Sequence, residues 1–230
     1  LFVDGTNNRV GINSTSPLAP LSLYNASSGL LATLQNATTG TTSGDGSYIA
    51  LDGNNLQISN KESANVIFYT ADTERMRIDA SGRVTLPYQP SFRAYATTAQ
   101  TPGSQVVIIF NNDSATNMFN IGSHYNTSNG RFTAPVTGVY VFQVQLLFSG
   151  QTAGTGGDTA IYKNGASIIS FNRRRYTADA TGYGGYLESA TTNILKLTAG
   201  DYITVVNDAS SRVLYVNDPN WTHFAGWLLG

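Results

Sequence analysis

The chain has 230 residues, 12% of them charged, a formal net charge of −1 and no cysteine. Ordinary soluble domains carry about 25% charged residues, so the polar surface must come from Asn, Thr, Ser and Gly, which favour turns and strand edges over helices. This balance excludes the basic stripe of a duplex nucleic-acid binder, thiol catalysis and thiolate metal sites. No run approaches the ~18 apolar residues of a membrane-spanning helix, so no membrane insertion is expected. Nor does a basic segment lead an apolar core as in a signal peptide. Without disulfides, stability must have another source, and burial between chains is the natural one. A first residue Leu1 in place of Met is expected of a piece of a longer protein.

Alternating apolar and polar runs, broken by Gly, Asn and Pro, predict an all-β fold. Segment 1–88 carries a weak internal repeat of strand, Asp-led turn and strand. Its copies are Leu1–Ile12, Ile49–Ile58 and Met76–Leu86. Asp caps such turns with its side chain, and Gly or Asn accepts positive φ. The competing reading is three ordinary hairpins. A lone hairpin is marginal in water, and the aromatics here are only Phe2, Tyr24, Tyr48, Phe68, Tyr69 and Tyr88. Three copies wrapped about one axis would bury apolar faces that a single copy leaves open.

Two stretches in this segment, Arg9–Pro17 and Thr73–Val84, resemble segments repeated in bacteriophage tail fibres, particularly of marine phages. The usual pattern is Arg-Val-Gly-Ile-Gly-Thr-Thr-Ser-Pro, from which Asn13 and Ser14 depart. The resemblance implies a trimeric β-hairpin fibre shaft, a place in the virion and hence outside the cell, and other fibre or tail proteins upstream.

Pro87-Tyr88-Gln89-Pro90 marks the boundary, because two prolines in four residues end strand pairing and stiffen a linker. Region 89–230 predicts strands at 91–97, 105–110, 117–123, 130–134, 137–148, 158–163, 166–172, 184–196, 201–207, 212–216 and 221–229. Lys163-Asn164-Gly165 is a type I′ hairpin signal, and Ala199-Gly200-Asp201 marks another tight turn. So many short strands argue for a sandwich.

Asn120–Tyr125 and Gly130–Phe142 closely resemble the signature of the complement globular-head family, which shares the tumour-necrosis-factor-like jelly roll. Ile161–Gly165, Leu195–Ile203 and Phe224–Leu229 fit its later segments in order, while Ala134 stands where a cysteine is common. The resemblance implies a ten-strand jelly-roll β-sandwich assembled as a homotrimer, with both termini at its base. Counting alternating strands back from the last one places connections 134–138, 172–184 and 207–221 at the apex and the Gly-rich loop 149–157 at the base.

Arg173-Arg174-Arg175-Tyr176 is the densest charge in the chain. It reads either as solvated or interchain-paired charge, or as an apical site for an anionic sugar, since guanidinium forks suit carboxylate and phosphate. Tyr183 and Tyr186 would offer flat faces to sugar rings, and Asn217 joins this candidate ligand-binding set. Asp179, Asp208 and Asp218 are hard oxygen donors in the same loops and candidates for calcium, a cation that some members of the resembled family bind there. Ordinary turn chemistry accounts for them equally. No other cofactor is indicated.

His124 and His223 are the only histidines and Glu62, Glu74 and Glu188 the only glutamates. No spacing joins them into a catalytic set. The expected function is therefore a non-enzymatic fibre tip that trimerises and binds a host cell-surface glycan or other receptor. The alternatives are a purely structural trimerisation knob and a polysaccharide depolymerase.

Overall fold

A computed structural model of the chain describes residues 1–26, 29–151, 156–175, 185–208, 213–216 and 218–229. The described residues form strands and turns, with no helix among them. The chain divides into two compact units, Leu1–Pro87 and Tyr88–Gly230.

The first unit holds three three-stranded sheets. These are β1 (Phe2–Asp4), β2 (Arg9–Ile12) and β3 (Leu21–Leu23), then β4 (Gly29–Leu34), β5 (Ser47–Asp52) and β6 (Asn55–Asn60), then β7 (Val66–Thr70), β8 (Thr73–Ile78) and β9 (Val84–Thr85). The Asp-led turns of the first and third copies form as expected. The Asp4 carboxylate accepts from the backbone N–H groups of Thr6 and Asn7, each at 3.1 Å. Asp79 does the same for Ser81 and Arg83, at 2.8 and 3.0 Å. In each case the side chain satisfies donors that the strand ladder leaves free.

What this unit lacks is a core. Among its described residues, Ala50 is the only buried Ala, Val, Ile, Leu, Met or aromatic side chain. On the middle sheet Ile49 lies opposite Ile58 and Leu51 opposite Leu56. All four are at least 40% exposed, so the face that should be buried is bare.

The second unit is a sandwich of two antiparallel sheets. One runs in the order β12 (Phe119–Ile121), β10 (Ser91–Tyr95), β21 (His223–Leu228), β15 (Gly138–Ser149), β18 (Leu187–Leu197), with β20 (Val213–Leu214) beside the end of β15. The other runs β13 (Tyr125–Asn126), β14 (Arg131–Thr133), β19 (Tyr202–Asn207), β16 (Gly156–Lys163), β17 (Ser167–Arg175), with β11 (Val106–Val107) on β19. With β11 and β20 each sheet has six strands among the described residues, two more in all than the expected ten.

Alternation explains the core. Along β15, Tyr140, Phe142, Val144, Leu146 and Phe148 point inward and are fully buried, as the period of two requires. They meet Phe92, Phe224, Phe132 and Ile161 in one cluster. Phe92 and Tyr125 stack with ring centroids 4.6 Å apart, and Phe224 meets Phe92 edge-on at 4.8 Å, geometries that aromatic quadrupoles favour. The Lys163–Ala166 hairpin has Asn164 and Gly165 at φ 53° and 74°, the two positive values of a type I′ turn.

Register corrects the expected placement of two connections. β21 pairs with β15 so that Leu228 faces Tyr140, and the Leu228 N–H donates to the Pro90 carbonyl at 2.9 Å. Both ends of this unit therefore lie at the end where β15 begins, and connection 134–138 is at the base, not the apex. The far end of β15, Ser149, lies beside Val213, so the Gly-rich loop leaves from the apex, not the base. Two antiparallel strands, β16 and β17, separate the Gly-rich loop from connection 172–184, so strict alternation puts both at one end.

Candidate functional site

The outward face of the β12-β10-β21-β15-β18 sheet carries exposed large apolar side chains. Cross-strand register places Ile121, Ser91, Trp227, Val141 and Ile194 in one row across its five strands near the base. Ile194 is 65% exposed, Trp227 39% and Ile121 37%, an apolar band with no cover in a single chain. The next rows toward the apex are mixed: Phe119, Arg93, Ala225, Gln143 and Thr192, then Tyr95, His223, Gln145 and Ala190, so that on β15 and β18 the polar Gln143, Thr192 and Gln145 follow the apolar row. Burial, and next the charge of Arg93, holds His223 below the ordinary imidazole range, so it is neutral at pH 7.

Beyond these rows, at the apex, the surface becomes aromatic. Leu147, Tyr186, Tyr215 and Trp221 line a hollow of about 320 Å³. Tyr186 meets Tyr215 edge-on, with ring centroids 5.8 Å apart and planes at 86°. A hydrogen-bonded frame holds this arrangement. The Tyr215 N–H donates to the Leu147 carbonyl at 2.8 Å. The buried Thr222 hydroxyl donates to the Tyr215 carbonyl at 2.5 Å and accepts from the Leu147 N–H at 3.3 Å. The Asp218–Trp221 turn closes the far side, with the Trp221 N–H on the Asp218 carbonyl at 3.2 Å.

The residues singled out from the sequence fall around this same end. The backbones of Arg173, Arg174 and Arg175 close β17 opposite Asp158, Gly157 and Gly156. Asp208 donates its N–H to the Asp158 carbonyl at 2.8 Å. Asp218 uses its carboxylate to accept from the Asn220 N–H at 2.8 Å, ordinary turn capping. Tyr176, Asp179, Tyr183 and Asn217 lie outside the described residues. Among the described residues no three His, Cys, Asp or Glu side chains are grouped to hold a metal ion.

Sequence reading named Tyr186 but missed Tyr215, Trp221 and the apolar row. A signal existed for Trp221, a large aromatic in an Asp-Pro-Asn turn. None existed for Tyr215, whose place depends on non-local pairing.

The C1q domain family model matches residues 91–229, more than half of the chain. The chain belongs to the C1q domain family, whose modules bind and trimerise rather than catalyse and typically form homotrimers. Solved structures similar to it include the globular domain of zebrafish complement 1qA, at 16% identity over 62% of this chain and 98% of that one with a TM-score of 0.48. Eiger TNF from S. frugiperda matches at 12% identity over 62% of this chain and 93% of that one, with a TM-score of 0.48. Murine APRIL matches at 15% identity over 61% and 99%, with a TM-score of 0.47.

Proposed function

We propose that this chain is the distal part of a bacteriophage tail fibre, a homotrimer whose C1q-type unit attaches the virion to glycan on a host cell surface. The observation that carries the trimer is the row through Ile121, Trp227 and Ile194, three large apolar side chains exposed in one chain beside the buried Val141. Contiguous exposed apolar surface of this kind marks an association site, and a closed symmetric assembly buries it without leaving a growing end. The bare middle sheet of Leu1–Pro87 has the same need. The shaft-like segments Arg9–Pro17 and Thr73–Val84 support the phage context, and the apical loops, at the opposite end of the second unit from Pro90 and Leu228, are where an attachment surface would be free.

Light scattering of the full chain, followed by pull-down on a panel of bacterial cells and their isolated envelope polysaccharide, tests this. A trimer that binds supports it. A trimer that binds no surface leaves the structural knob, a monomer removes the fibre reading, and release of oligosaccharide establishes a depolymerase.

A further inference from the structure

The aromatic hollow at the apex has chemistry different from the apolar band below it. Six residues of β15 separate Val141 in the band from Leu147 in the hollow, about 20 Å of strand. The intervening rows carry Gln143, Gln145 and Thr192. The hollow is therefore not a continuation of the surface that a second copy would cover.

Its lining is apolar in body and polar at the tips. The described lining residues carry no charge. Three of the four are aromatic, and each ring bears one hydrogen-bonding group, a phenol hydroxyl or an indole N–H. The perpendicular Tyr186 and Tyr215 rings form two walls of a corner, and Tyr186 and Trp221 are 47% and 45% exposed. A carboxylate on this face, Glu188, lies directly across the strands from Leu147 and accepts from the Gln145 amide at 3.3 Å. That charge disfavours an anionic ligand.

A pyranose ring has matching chemistry. Its axial C–H groups make an apolar face, while its rim is all hydroxyl. A volume of 320 Å³ is at the small end of the roughly 300–1,000 Å³ of ligand pockets. The backbone frame through Thr222 forms the hollow before any ligand arrives, which lowers the ordering cost of binding. We propose that Leu147, Tyr186, Tyr215 and Trp221 bind one neutral pyranose residue of a glycan. This deepens the attachment reading and rests on it for the glycan's source. It assigns recognition to stacking on uncharged rings and not to the arginines of β17. Affinity for a single sugar is weak, about millimolar, and repetition of the site within an oligomer supplies avidity.

The test is tryptophan fluorescence of the full chain, which has two tryptophans, titrated with glucose, galactose and N-acetylglucosamine, and with N-acetylneuraminic acid as the anionic probe. At least one neutral sugar should give a saturable change that Trp221→Phe removes. Tyr186→Ala should weaken that sugar tenfold or more while light-scattering mass stays unchanged. The proposal is overturned if no neutral sugar perturbs Trp221, if only the anionic sugar saturates, or if Tyr186→Ala lowers the mass, which would make the hollow a seat for a second copy. Cell binding separates the two readings. Wild type and Tyr186→Ala binding host cells equally would remove the sugar site and leave attachment standing. Saturation by a sugar with no cell bound would remove attachment and leave the site.

Discussion

Asp201 ties its own turn to the Lys163–Ala166 hairpin at the base of the sandwich. Its carboxylate pairs with the Lys163 ammonium at 2.6 Å and accepts from the Asn164 amide at 2.9 Å and the Thr198 N–H at 2.8 Å. Lys163 first, then these hydrogen bonds, hold its pKa down at about 2, against 3.8 for an ordinary Asp. A depressed carboxylate contributes stability that is fully present above the unfolded value and is lost as pH falls through the folded one. Asp201→Asn should therefore melt below wild type at pH 6, and the gap should close as pH falls from 3.8 through about 2. Thermal unfolding of both proteins across that range checks it. Tyr125 is a second such position. Its buried hydroxyl accepts the Phe110 N–H at 3.2 Å, and burial raises its pKa, so it stays protonated. Tyr125→Phe strands a buried donor and should cost about 1–3 kcal/mol in denaturant unfolding.

Between residues and the whole lies the packing of strands. Gly226 of β21 faces Phe92 on one neighbouring strand and Phe142 on the other. A Cβ there would come within 2.6 Å of the Phe142 ring and 2.8 Å of the Phe92 ring. The glycine is the small member of a large–small–large row, and two packed rings cannot swing aside. Gly226→Ala should destabilise by about 1–3 kcal/mol through overpacking, measured by chemical denaturation with an unchanged oligomer mass. The turns were readable from sequence because their cause is local: Asn164 and Gly165 tolerate the positive φ the hairpin needs, and Asp4 and Asp79 bond to their own turns. The strands of the sandwich were readable from alternation for the same reason. The ends to which connections 134–138 and 149–157 belong follow from strict alternation of strand direction, and the pairing of Leu228 with Tyr140 fixes them. The aromatic hollow was unreadable, since Leu147, Tyr186, Tyr215 and Trp221 come from four separate segments.

At the scale of the whole molecule, the proposed assembly rests on the outer sheet face and can be tested there. Ile194→Arg puts a charge at the β18 end of the row, on its most exposed member, without disturbing the inward face of β18. It should lower the mass in solution toward the 24.6 kDa of one chain and leave the far-ultraviolet β signal intact. Retention of the wild-type mass would place the contact between copies elsewhere. The position of β10 has a mechanical consequence. It is a central strand, bonded to β12 on one side and β21 on the other, and its first residue, Ser91, is at the end of the unit where the chain enters. A pull on residue 88 directed away from a tethered apex runs along that strand. Its hydrogen bonds to both neighbours are then loaded together in shear, instead of opening one after another as they would if the strand were peeled from an edge. A module so wired holds under tension until it yields all at once.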